Sequence, residues 1–132
     1  MSITFKGQVA IVTGAGNGLG RLHALALAAR GARVVVNDLG GARDGSGASI
    51  GAAEAVVQEI VRAGGEAIAS GASVTDFDAV QAMVAQAMDA WGRVDVLVNN
   101  AGILRDRSFA KMELTDFRVV LDVHLMGAVH CT

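Results

Sequence analysis

The residues of this sequence best suited to chemistry form the run Thr13-Gly14-Ala15-Gly16-Asn17-Gly18-Leu19-Gly20. An apolar stretch, Val9-Ala10-Ile11-Val12, precedes it, and Leu22-His23-Ala24-Leu25-Ala26-Leu27 follows. That context reads as a strand, a tight turn and the start of a helix. A turn bare of side chains lets a pyrophosphate come close to the backbone. The first free N–H groups of the helix, with the positive end of its dipole, then face the anion. Gly14, Gly18 and Gly20 stand where Cβ atoms would obstruct the turn, the anion or the packing of helix on strand. Asn17 and Leu19 complete the surface such a ligand would touch. The glycine order is G-x-x-x-G-x-G, not the G-x-G-x-x-G dinucleotide fingerprint. Taken alone, the run is equally an ordinary connection between strand and helix.

Asp38 supplies the second part of the argument. It closes the run Arg33-Val34-Val35-Val36-Asn37, about 20 residues beyond the glycines, where a carboxylate can accept hydrogen bonds from the hydroxyls of an adenosine ribose. It would also repel a 2′-phosphate, which favours NAD over NADP. Asp is a common turn residue at strand ends, and Arg21 and Arg43 are cations that could pair with a phosphate. The position of Asp38 outweighs both points, because it is the one the ribose needs.

The elements that must hold these residues follow from apolar periodicity. A strand is expected over Val9–Thr13, then a helix from about Leu19 to Arg30, with Gly31 free to take the left-handed conformation that ends a helix. The second strand covers about Arg33–Asn37; its unbroken Val34-Val35-Val36 suits burial on both faces. After a small-residue loop over 39–49, Ala53, Val56, Val57, Ile60 and Val61 give helical spacing over about Ala52–Ala63. Gly64 and Gly65 stop it. A third strand spans Glu66–Ser70. The next helix starts after Thr75, with Thr75 and Asp78 spaced as a capping box. Its stripe is Phe77, Val80, Val84, Met88 and Trp91, and Gly92 ends it. A fourth strand covers Val94–Asn99, and the polar Arg105-Asp106-Arg107-Ser108 leads to a last helix from about Asp116. This alternation predicts an α/β fold, a doubly wound parallel sheet with helices on both faces. The glycine turn, Asp38 and the end of the fourth strand then share the carboxyl edge of the sheet, where such folds bind ligands.

Composition narrows the classes. The 132 residues are 52% apolar and 18% charged with a net charge of −2, which suits a single globular domain and no nucleic-acid partner. No apolar stretch approaches the ~20 residues of a membrane span, and Met1–Lys6 shows no signal-peptide pattern. The single cysteine, Cys131, excludes an internal disulfide, suits a reducing compartment and reads as a bystander. His124 and His130 do not fall on one helical face and have no clustered partners, so no metal site is expected. His23 reads as structural.

Two motifs in this order resemble a known family. Thr13–Gly20 resembles the T-G-x-x-x-G-x-G turn of the short-chain dehydrogenases/reductases. Asn99-Asn100-Ala101-Gly102 is similar to that family's N-N-A-G motif after the fourth strand. Asn37-Asp38-Leu39-Gly40-Gly41, Ile103-Leu104-Arg105-Asp106-Arg107-Ser108-Phe109 and Val123-His124-Leu125-Met126-Gly127 further resemble its (3R)-hydroxyacyl-CoA dehydrogenase branch. The resemblance covers the chain from about Phe5 onward. It implies a Rossmann fold and NAD-dependent oxidation of a secondary alcohol, with a 3-hydroxyacyl-CoA or hydroxysteroid as substrate. It places Gly14, Asn17, Gly18, Leu19 and Gly20 at the pyrophosphate, Asp38 at the adenosine ribose, and Ser73 and Val74 along the adenine. Asn99, Ala101 and Gly102 line the cofactor.

His124 takes a proton-relay position where most members of the family carry Asn. It also falls on the stripe Phe117, Val120, Leu121, Leu125, Ala128, which equally suits a hydrogen-bonded core histidine. The family's Ser and Tyr-x-x-x-Lys, in which Tyr is the general acid/base, have no counterpart here, since the sequence contains no Tyr. The chain is therefore expected to be the N-terminal portion of a Rossmann domain, incomplete at its C-terminus, holding the cofactor half of a site. The resemblance also implies a homodimer or homotetramer built on the last helix. The expected location is bacterial cytoplasm, with the peroxisome as the alternative. Two other readings stand beside this one: a non-catalytic nucleotide-binding or scaffold module, and an NADPH-dependent 3-oxoacyl reductase of the same family, against which Asp38 speaks.

Overall fold

A computed structural model describes residues 2–41 and 50–132. The apolar runs form four strands: β1 (Val9–Val12), β2 (Arg33–Asn37), β3 (Glu66–Ser70) and β4 (Val96–Val98). All pair in parallel, in the order β3-β2-β1-β4. Ile11 lies between Val35 on β2 and Leu97 on β4. Every residue of β1 is buried, as are Val34, Val35 and Val36 of β2. Burial of each such side chain contributes about 1.5–3 kcal/mol, so the two middle strands anchor the sheet.

Helices cover both faces. Val12, Val34 and Val36 pack with Ala24 of α1 (Gly18–Ala29) and with Ala53, Val56 and Ile60 of α2 (Gly51–Arg62). Ile11 and Val35 point the other way, onto Val80, Met83 and Ala87 of α3 (Phe77–Trp91), with Cys131 packed alongside. Alternation of period two along β2 thus feeds two cores, as a doubly wound sheet requires. Among the described residues no helix is long and apolar enough to cross a membrane.

β2 and β3 run as the sequence predicts. Gly31 (φ 101°) and Gly92 (φ 73°) take the left-handed conformation at the ends of α1 and α3. Other expectations need correction. The cap of α3 is Asp76, whose carboxylate accepts the Ala79 N–H at 3.1 Å, while the Thr75 hydroxyl pairs with Ser73 Oγ at 2.7 Å. A charged acceptor outcompetes a hydroxyl for the orphan N–H. On α3 the buried side chains are Val80, Met83 and Ala87, whereas Phe77 and Met88 are exposed.

β4 is shorter than Val94–Asn99 because its lead-in serves another purpose. Asp95 accepts the Val9 N–H at 2.8 Å and pairs with Arg93 at 2.6 Å. The Arg93 bond, helped by Val9, holds the Asp95 carboxyl below its ordinary range. The last helix starts earlier than Asp116 and is not uniform. It consists of α4 (Leu114–Leu121), a π-helical turn over Asp122–Met126, and α5 (Gly127–Cys131).

Candidate functional site

The carboxyl ends of β1 and β4 are clamped together by two polar side chains. Thr13, 1% exposed, closes β1. Its Oγ1 accepts the N–H groups of Asn100 at 3.1 Å and Ala101 at 3.0 Å. In return, Asn100 Nδ2 donates to the carbonyls of Thr13 and Gly14, both at 3.1 Å. The glycine turn therefore lies directly against the Asn99–Gly102 segment. A Cβ on Gly14 would come within 2.8 Å of Ala101 Cα, and one on Gly20 would overlap the Gly14 carbonyl and the Asn100 amide. Gly18 differs from the sequence-based expectation. A Cβ there meets nothing, and its φ of 56° is the reason for glycine.

No side chain caps α1, and its first turn carries no acidic residue. Its leading N–H groups thus open onto the exposed surface of Asn17, Gly18 and Leu19, and the Leu19 side chain is 70% exposed. A glycine cradle beside an uncapped helix start fits a pyrophosphate.

Asp38, half-buried at the end of β2, completes this edge. Its Oδ2 accepts the Gly16 N–H at 2.7 Å and its Oδ1 accepts the Gly40 N–H at 2.6 Å. Each carboxylate oxygen keeps a further lone pair, so the group can still accept from ribose hydroxyls. The observed residues therefore fit a dinucleotide. Sequence reasoning gave Gly16 and Thr13 no role of their own, and did not foresee that Asn100 would clamp the glycine turn. The extra glycine between Gly14 and Gly18 was the available signal: a Cβ on Gly16 would lie 2.7 Å from Asp38 Oδ2 and 2.9 Å from Ala52 Cβ.

Of the two cations weighed as phosphate partners, Arg21 on α1 pairs instead with Glu59 on α2 through both carboxylate oxygens. That bond holds the Glu59 carboxyl below its ordinary range. Arg43 lies outside the described residues.

Ser73 and Val74 sit on the connection after β3. Val74 is buried, packed so closely on α5 that a Cβ on Gly127 would come within 2.6 Å of its Cγ2. Its carbonyl accepts a hydrogen bond from His130 Nδ1 at 2.8 Å. The Val74 side chain and carbonyl are thus both engaged within the chain.

Asn99 and Gly102 are exposed at the end of β4, with Ala101 half-buried between them. Gly102 is required by His124, since a Cβ there would stand 2.6 Å from the ring's Cε1. His124 lies in the π-helical turn and is exposed among the described residues. The wider turn breaks the 3.6-residue spacing on which the apolar-stripe reading relied. Its Nε2 is 2.9 Å from the Ile103 carbonyl and 3.1 Å from the Ile103 N–H. One ring nitrogen can serve only one of them, donating to the first or accepting from the second according to tautomer. Beside it opens a cavity of about 320 Å³ whose walls include Ile103, Leu104, Met112, Phe117, Val120 and His124. Burial pushes the Cys131 thiol up, and His23 is exposed on α1. Among the described residues no group of three or more His, Cys, Asp or Glu side chains could hold a metal ion.

Comparison with known proteins agrees with this geometry. A family model described as short chain dehydrogenase matches residues 8–132. A peroxisomal multifunctional enzyme type 2 from Drosophila melanogaster is 57% identical over 130 residues, covering 98% of this chain and 21% of that protein. A peroxisomal hydratase-dehydrogenase-epimerase from Saccharomyces cerevisiae is 54% identical over 126 residues, covering 96% of this chain and 14% of that one. A solved short chain dehydrogenase from Mycobacterium avium superposes with a TM-score of 0.88 at 53% identity, covering 98% of this chain and 44% of that one. The chain thus spans less than half the length of each.

Proposed function

The chain belongs to the short-chain dehydrogenase family, and from that premise we propose that it is the nucleotide-binding part of an NAD-dependent enzyme oxidising a secondary alcohol, a 3-hydroxyacyl-CoA or a hydroxysteroid. The observation that carries the choice of NAD is Asp38, a carboxylate fixed at the end of β2 within reach of the glycine turn. A 2′-phosphate placed there would meet its negative charge, and Arg21, weighed as a phosphate partner, is engaged by Glu59.

The nicotinamide ring supplies hydride acceptance when the cofactor is bound. This chain's residues provide the rest. Gly14–Gly20 and the start of α1 hold the pyrophosphate. Asp38 accepts from the ribose hydroxyls, and Ser73 and the Val74 backbone border the adenine. Asn99, Ala101 and Gly102 floor the reacting end. His124 keeps a proton, or a lone pair, at Nε2 against Ile103. The apolar cavity beside His124 suits the hydrocarbon part of an acyl or steroid substrate. Exposed Phe117, Leu121, Leu125 and Val129 support a homo-oligomer built on α4 and α5. The peroxisomal names of two relatives support that location over the cytoplasm.

The test is calorimetric titration of the full-length protein with NAD and with NADP, followed by oxidation of a 3-hydroxyacyl-CoA and a hydroxysteroid. Tighter binding of NAD and turnover of either substrate are expected. Preference for NADP would favour a 3-oxoacyl reductase instead, and binding of neither nucleotide a scaffold module.

A further inference from the structure

We propose that Asp38 is also a positioning residue: its carboxylate latches the glycine turn to the loop after β2, so one side chain sets both the shape of the pyrophosphate cradle and the choice of ribose. The inference rests on the cofactor reading above. It goes beyond it because these carboxylate bonds run to the chain's own backbone, at Gly16 and Gly40, and not to a ribose.

The two carboxylate oxygens are engaged by different segments, Oδ2 by the Gly16 N–H at 2.7 Å and Oδ1 by the Gly40 N–H at 2.6 Å. Gly16 belongs to the turn that must receive the phosphates, and Gly40 follows β2 with a φ of 80°. Asp38 itself is held to β3 by its N–H, which donates to the Ser70 carbonyl at 3.0 Å. Beside it, Ala15 N–H donates to the Asn37 carbonyl at 2.8 Å. The residues between Gly14 and Asn17 therefore turn their N–H groups toward β2, which leaves the anion to the start of α1. Charge-assisted bonds of this length are the stronger kind. The absence of a side chain at Gly16 is what lets the carboxylate approach.

A carboxylate that touched only the ribose could be exchanged for a small residue to admit a 2′-phosphate. A carboxylate that also shapes the cradle cannot. Its removal lifts the repulsion but frees Gly16, so NAD binding weakens and NADP does not reach the affinity the wild type has for NAD.

The experiment is calorimetry on the full-length protein with two probes: NAD, and an NAD analogue whose adenosine ribose lacks the 2′- and 3′-hydroxyls. The variants are Asp38→Ala, Asp38→Asn and Gly16→Ala. For the analogue, which cannot bond to Asp38 through its ribose, Asp38→Ala is expected to lower affinity at least fivefold. Gly16→Ala, which drives a Cβ into the carboxylate, should lower it comparably. Asp38→Asn keeps one acceptor oxygen and should fall between wild type and Asp38→Ala. NADP affinity of Asp38→Ala should stay below the wild-type affinity for NAD. Unchanged analogue binding in Asp38→Ala, alongside weakened NAD binding, would overturn the latch and leave a ribose contact alone. Failure of the wild type to bind NAD would overturn the cofactor reading, and the latch with it.

Discussion

Replacing Thr13 by Val should destabilise the protein more than replacing it by Ser. Thr13→Val keeps the branched shape and nearly the volume, and deletes one oxygen. That oxygen accepts two backbone N–H groups, from Asn100 at 3.1 Å and Ala101 at 3.0 Å. With Thr13 only 1% exposed, water has no access from its side. Leaving a buried donor unpaired costs about 1–3 kcal/mol. The Asn100 N–H keeps the Val98 carbonyl at 3.0 Å, so the part-buried Ala101 N–H is the donor that loses its acceptor, and the expected loss is about 1–3 kcal/mol. Thr13→Ser keeps the hydroxyl and loses one methyl, which costs about 1 kcal/mol. The assay is urea unfolding of the full-length wild type and both variants, with NAD titration of each. The Val variant should lose more stability than the Ser variant and should bind NAD more weakly, because the Ala101 end of the Asn99–Gly102 segment is no longer held to β1. Equal losses for Val and Ser would refute the reasoning and reduce the clamp to shape alone.

Asp95 should shape the acid limb of stability. Its folded-state pKa lies below the unfolded value because of Arg93 and the Val9 N–H, so its contribution is complete above the unfolded carboxylate pKa of about 4. It is lost as pH falls through the folded value, and Asp95→Asn should flatten that part of a stability-against-pH curve. Gly102→Ala should displace the exposed His124 ring from Ile103, because its Cβ meets the ring's far end; the stability cost should stay below about 1 kcal/mol, and denaturation of the double variant with His124→Ala should show it removed. Arg21→Ala should leave NAD affinity unchanged within error and lower stability only slightly, since its partner is the half-exposed Glu59. A large loss of nucleotide affinity in calorimetry would restore Arg21 as a phosphate ligand.

Much of the fold was legible because it rests on strong local signals. Unbroken Val34-Val35-Val36 marked β2, and glycines at 31 and 92 marked helix ends by a conformation other residues avoid. The carboxyl edge was legible for the same reason: turn, acidic residue and strand end share one topology. What escaped depends on competition between neighbours. Thr75 and Asp76 both suit a cap, and spacing does not reveal that the Ser73 hydroxyl would occupy Thr75. Val94 and Asp95 look like strand until Arg93 and Val9 claim the Asp95 side chain. The turn that carries His124 escaped because a π-helical turn cannot be read from a pattern that assumes 3.6 residues per turn. Gly16 was passed over because its reason lies across space, in Asp38.

The order β3-β2-β1-β4 also sets a timetable for folding. Strands β1, β2 and β3 pair with their neighbours in sequence, each across one helix. The pairing of β4 with β1, and the clamp between Thr13 and Asn100, must bring together residues 87 positions apart. Contacts of such separation carry the greater loop-closure entropy and form late. The Asn100 bonds brace the glycine turn only on that last docking, so a nascent chain completes its nucleotide cradle only after β4 arrives. Hydrogen exchange during refolding should then protect β2 before it protects the Asn100 and Ala101 amides.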